Sequence, residues 1–145
     1  FSFDPAIAYN DVGAAELLSL TSEGLFYLNE KGKLKKGLCK KYKIKENDDG
    51  SETLIITLDE SYWSDGIRVD AADFVYAWNR IMDPEFKCEA AALLFPVKNA
   101  VAVKNGDIRR DDIGFYSSGT YEITIDLNVG VDAELFLNNL ASVAL

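Results

Sequence analysis

Few residues in this chain could do chemistry on a bound molecule. There is no histidine, so the commonest general base and zinc ligand is missing. Cys39 and Cys88 stand far apart, with no C-x-x-C or Cys/His metal spacing. They are expected to be two buried free thiols; a Cys39–Cys88 disulfide in an oxidising compartment is the alternative. Gly114 and Gly119 are too widely spaced for a phosphate loop, and no G-x-x-x-x-G-K occurs. Ser2 and Ser64 have no candidate base. What remains is an acidic cluster, Asp59, Glu60, Asp65, Asp70 and Asp73, around the aromatic pair Tyr62-Trp63. Two carboxylates facing each other across a sugar would make a glycosidase. The plainer reading is that Asp65 makes a turn while Asp70 and Asp73 cap a helix, and it is the one preferred. The spacing does not fit an EF-hand. Trp63 and Trp78 could stack on a ligand, but both are expected in the core. No catalytic residue, metal or cofactor is expected, and the chain is not expected to be an enzyme.

The elements that would position these residues mix helices with hairpins. A helical stripe of Leu17, Leu18, Thr21, Leu25 and Leu28 predicts a helix from about Ala14 to Leu28. Asp4-Pro5 predicts an extended start. Tyr42 to Lys45 alternates, Asn47-Asp48-Asp49-Gly50 is a turn, and Thr53 to Leu58 is β-rich, which together predict an antiparallel hairpin. Ala71, Phe74, Val75, Trp78, Ile81 and Met82 share one helical face, with Asp70 as cap, Asp73 as its capping-box partner and Asp83-Pro84 as the stop. Glu89 to Leu94 and Val97 to Gly106 read as short helices, Tyr121 to Leu127 as a strand, and Asp132 as the cap of a last helix through Leu145. The fold class expected is α+β with a mostly antiparallel sheet.

With 145 residues, 48% of them hydrophobic, the chain can form one domain with a real core. Its 24 acids against 15 bases, net −9, argue against a nucleic-acid partner. Yet Lys31, Lys33, Lys35, Lys36, Lys40, Lys41, Lys43 and Lys45 crowd one stretch. Either they contact an anion or membrane headgroups, or they form a solvated strand-and-loop face that guards a sheet edge; the second reading is preferred. No stretch resembles a transmembrane helix or signal peptide. The chain opens at Phe1-Ser2-Phe3 and closes at Ala144-Leu145 inside an amphipathic segment, so it is expected to be a piece of something longer.

One run of residues is specific. Tyr62-Trp63-Ser64-Asp65-Gly66, then Val69, then Ala71-Ala72-Asp73-Phe74-Val75-Tyr76-Ala77-Trp78-Asn79-Arg80, closing on Asp83-Pro84, closely resembles the signature of family 5 extracellular solute-binding proteins. The Phe-Val-Tyr-x-Trp version is similar to the oligopeptide-binding branch. Phe3-Asp4-Pro5, Glu23-Gly24-Leu25, Lys36-Gly37-Leu38, Asn99-Ala100 with Gly106, Ile113-Gly114-Phe115 and Gly119 to Ile123 resemble further landmarks in the family's order. Lys36, Cys39 and Asp70 depart from the usual residues, and Glu85 to Phe95 matches poorly.

The resemblance implies a longer protein of periplasmic-binding-protein type II-like architecture, whose two lobes close on a peptide. Residues 1–145 would supply the start of the first lobe and most of an additional N-terminal domain. It implies a substrate-binding component of an ABC importer, taking up oligopeptides from outside the cytoplasmic membrane. The partners implied are the peptide and the importer's membrane subunits. The protein is expected to be periplasmic or a cell-surface lipoprotein, monomeric, and to touch the membrane only through a lipid anchor outside this chain. By position Tyr9 and Asp11 become candidate peptide contacts, an aromatic and an acid, with Phe86 as a shifted candidate; otherwise Tyr9 and Asp11 are ordinary loop residues. The same domain in a sensory or regulatory protein, or a member carrying nickel, haem or an oligosaccharide, is the alternative.

Overall fold

Alternation of apolar and polar side chains builds the sheet on which the rest of the chain packs. The structure, a computed structural model, describes residues 2–145. Strand β3 (Cys39–Glu46) turns at Asn47 to Gly50 into β4 (Glu52–Leu58), and β5 (Phe115–Gly119) turns into β6 (Glu122–Asp126). The four-stranded order is β3-β4-β6-β5, antiparallel throughout. In register, Tyr42, Ile56 and Ile123 form one row and Ile44, Leu54 and Ile125 the next. Leu54, Ile56, Ile123 and Ile125 on this inner face are fully buried. The opposite face carries the row Lys43, Ile55, Thr124 and Tyr116.

Helix α3 (Ala71–Met82) covers the inner face. As the sequence predicts, Asp70 accepts from the Ala72 and Asp73 amides at 2.9 and 3.2 Å, while Asp73 accepts from the Asp70 amide at 3.0 Å. Trp78 is fully buried and meets Phe115 edge to face, ring centres 5.5 Å apart. The first helical amide, Ala71, donates to Thr120 in the β5–β6 turn at 2.8 Å, which ties the helix start to the sheet. The α+β expectation holds.

Several expected boundaries move. Helix α2 covers only Val12–Thr21 and ends at Ser22; Phe26–Leu28 is instead strand β1, paired with β2 (Leu34–Lys36) in a separate two-stranded sheet. Of the expected stripe Leu18 and Leu25 are buried, whereas Leu17, Thr21 and Leu28 are exposed, so the spacing did not mark one continuous buried face. Tertiary hydrogen bonds decide the outcome: Gly37 donates to Leu25 and Leu38 to Gly24, each at 2.9 Å. Asp4 is extended, as expected of a residue before proline, but the extension stops there. Asp4 caps a short helix α1 (Pro5–Ala8), with the proline where a missing amide does no harm. Of the stretch Val97 to Gly106, only α4 (Ala100–Lys104) is helical, because Asn99 sits in the left-handed region and Val97 bridges to Leu127. Glu89–Leu94 forms a 3-10 helix. The last helix does not reach Leu145. Asp132 caps α5 (Ala133–Phe136), after which the side chain of Asn138 bonds the Leu135 carbonyl and that of Asn139 bonds Leu93, in competition with helical pairing.

Cys39 is buried and Cys88 half-buried, and both are free thiols. Burial pushes the Cys39 thiol up to about 11. Among the described residues, no helix is long and apolar enough to cross a membrane.

Candidate functional site

Both ends of α3 are fastened by side chains, the first by residues that stood out in the sequence. At its start, Gly66 adopts φ +85° and the Asp65 carboxylate accepts from the Ile67 amide at 3.0 Å, which closes a tight turn. The Trp63 indole donates to Asp73 at 3.2 Å. Trp63 is therefore not the core residue expected: it is 53% exposed, held by a hydrogen bond at the rim of the helix cap. Asp65, Asp70 and Asp73 are engaged by a turn and a cap, the plainer of the two readings of the acidic cluster. Arg68 lies over the Tyr121 ring at 3.7 Å, joining this turn to the β5–β6 hairpin.

At the far end of α3, Arg80 makes a two-pronged ion pair with Asp4, one contact being 3.0 Å, and its guanidinium lies 4.3 Å from the centre of the Phe86 ring. The Arg80 hydrogen bonds hold the Asp4 carboxyl below the usual carboxylate range, against the opposing effect of burial. Lys104 supports the same end. Its ammonium donates to the carbonyls of Ile81 and Asp83, both at 2.8 Å, and to that of Phe86. These carbonyls lie at and just past the helix C-terminus, where a cation is favoured.

This scaffold sets α1 against the segment after Phe86. A cavity of about 360 Å³ opens between Ala6, Ile7, Tyr9 and Asn10 on one side and Lys87, Cys88 and Glu89 on the other. The Asn10 amide donates to Glu89 across it. The wall thus offers an aromatic ring, an ammonium, a carboxylate and an amide. Such a set suits a ligand with charged ends and an amide backbone.

Of the three candidates from the sequence, Tyr9 lines this cavity directly. Phe86 is next to the wall, under Arg80. Asp11 does not line it; the carboxylate caps α2, accepting from the Ala14 amide at 2.9 Å. Asn10 and Glu89 were missed, as were Asp4 and Arg80 as the clasp. Their signal was weak, because Glu85 to Phe95 carries no pattern that fixes its register. Among the described residues, no group of three or more His, Cys, Asp or Glu side chains could hold a metal ion.

Comparison with known proteins places the chain. The profile described as bacterial extracellular solute-binding proteins, family 5 middle, matches residues 33–145. The periplasmic murein peptide-binding protein MppA of Escherichia coli is 34% identical over 131 residues, covering 88% of this chain and 23% of MppA. The oligopeptide-binding protein OppA of Bacillus subtilis is 31% identical over 128 residues, with the same coverage of 88% and 23%. The structure of OppA from Burkholderia pseudomallei superposes with a TM-score of 0.85 at 33% identity, over 99% of this chain and 27% of that one. The chain thus spans about a quarter of the length of these relatives. A match over most of the chain, with the signature run wrapped around α3, means that it belongs to the bacterial extracellular solute-binding proteins of family 5.

Proposed function

We propose that the chain is an N-terminal piece of a substrate-binding protein of an ABC importer. It would bind oligopeptides outside the cytoplasmic membrane and have no catalytic role. What carries the reading is the likeness over nearly the whole chain to the murein peptide-binding protein MppA and to the OppA proteins. Residues 1–145 form the start of the first lobe and most of the additional N-terminal domain. The cavity between α1 and the segment after Phe86 is a partial peptide subsite, completed by the rest of a monomeric, two-lobed protein. In it Tyr9 covers peptide backbone, Glu89 offers a carboxylate to a peptide amino terminus, and Phe86 backs the wall; Asp11, outside the cavity at the α2 cap, offers a second carboxylate from the adjoining loop. Backbone hydrogen bonds supply affinity while wet pockets accept varied side chains. Closure of the lobes shifts a population and delivers peptide to the importer's membrane subunits.

Calorimetric titration of the intact longer protein with short peptides tests this. Tyr9→Ala and Phe86→Ala should each weaken binding about tenfold, the scale of one aromatic contact. Asp11→Asn keeps the helix cap and should weaken only peptides with a free amino terminus. Unchanged affinity in all three folded variants would remove these residues from the site.

A further inference from the structure

We propose that the lysine ribbon of β2 and β3 is a docking surface for an anionic phospholipid bilayer. Between Lys31 and Lys45 the chain places eight of its 15 basic residues and no acid. Every one of these lysines is exposed. The remaining seven bases face all 24 acids, a net of −17, so the rest of the chain is repelled by the surface that attracts the ribbon. This asymmetry gives docking one orientation.

On the four-stranded sheet Lys41 and Lys43 border an open concavity together with Ile55, Thr57 and Glu122. Lys41, Lys43 and Lys45 stand on the outer face of β3, opposite Thr57, Ile55 and Thr53, at a spacing of about 7 Å along the strand. β3 is an edge strand, so nothing within this sheet covers it on its open side. Among the described residues the ion pairs are Arg80–Asp4 and Arg109–Asp111, and neither uses the ribbon. The acids on the same face, Glu122 and Asp126, lie two strands away on β6 and accept from the Ser118 and Thr53 hydroxyls at 2.8 and 2.7 Å. All eight bases are lysine and none arginine. Lysine is a strongly hydrated point charge that reads a diffuse array of headgroups, whereas a single enclosed phosphate favours arginine's fork.

A second, apolar observation points the same way. On the β1–β2 hairpin, Tyr27 pairs with Lys35 and is 50% exposed. An amphipathic ring set beside a lysine stem suits a headgroup boundary.

The test is partitioning of the intact longer protein, without any lipid modification, onto phosphatidylcholine vesicles with and without phosphatidylglycerol. Binding is expected only with phosphatidylglycerol. It should vanish as salt rises from about 0.01 M to about 1 M and the screening length falls from ~30 to ~3 Å. Each lysine near such a surface contributes roughly fivefold. Lys41→Gln/Lys43→Gln/Lys45→Gln should therefore lower partitioning on the order of a hundredfold. Lys33→Gln/Lys35→Gln, beside and on β2 in the other sheet, should lower it about 25-fold, so the test survives if one variant folds poorly. Arg109→Gln/Arg110→Gln, a like loss of charge elsewhere, should change it less than about twofold. Equal binding to neutral vesicles, equal loss in the arginine variant, or retention on soluble polyphosphate without vesicle binding would each overturn the proposal.

Discussion

Arg80 joins two distant parts of the chain, the Asp4-Pro5 start and the loop at Phe86. Because it holds Asp4 below the ordinary carboxylate range, the charged pair stabilises the fold above the unfolded pKa, about 4. That contribution is lost as pH falls through the lowered folded value. The pair is partly exposed, with side chains 43% and 24% accessible, so it contributes at most about 1 kcal/mol. Asp4→Asn preserves the α1 cap and should lower stability by that much at neutral pH, with the two proteins converging in acid; a gap that persists in acid urea titrations would rule the pair out. Gly37 shows why a landmark can be legible without its reason. Lys36-Gly37-Leu38 and Glu23-Gly24-Leu25 read as separate motifs, yet a Cβ on Gly37 would stand 2.3 Å from the Gly24 carbonyl oxygen. Gly37→Ala should cost about 2–3 kcal/mol, read as a lowered denaturation midpoint, whereas a neutral change would mean that the crossing relaxes freely.

Among the elements, α3 was legible because cap, periodicity and stop agree, and each was observed. The hairpins were legible for a like reason, since alternation and turn residues coincide. The stretch from Ala14 to Leu28 was not, because local leucine spacing argued for helix while pairing with β2, 6–10 residues downstream, decided for strand. Tyr9 could be placed by position after Asp4-Pro5. Glu89 and Asn10 could not, since their meeting depends on how α1 packs on the 3-10 segment. Asp70→Ala should cost about 1 kcal/mol and Trp78→Ala about 3–5 kcal/mol, both by equilibrium unfolding. Trp63→Phe, which loses one exposed hydrogen bond, should cost less than about 1 kcal/mol; a loss as large as that for Trp78 would mean that Trp63 is buried after all.

For the whole molecule, the sheet separates two surfaces of different character. Its inner face holds the core under α3, and its outer face carries lysines toward solvent. The candidate peptide cavity lies against neither, but at the edge formed by α1 and the loop after Phe86. One open wall cannot enclose a peptide, so residues 1–145 alone should bind short peptides weakly or not at all. Micromolar binding by this chain in isolation would contradict a two-lobed site. The most direct measurement is denaturing mass spectrometry of the small molecules that co-purify with the intact longer protein. A ladder of short peptides of varied sequence is expected; a single metal, sugar or cofactor without peptides would leave the fold standing and contradict the ligand.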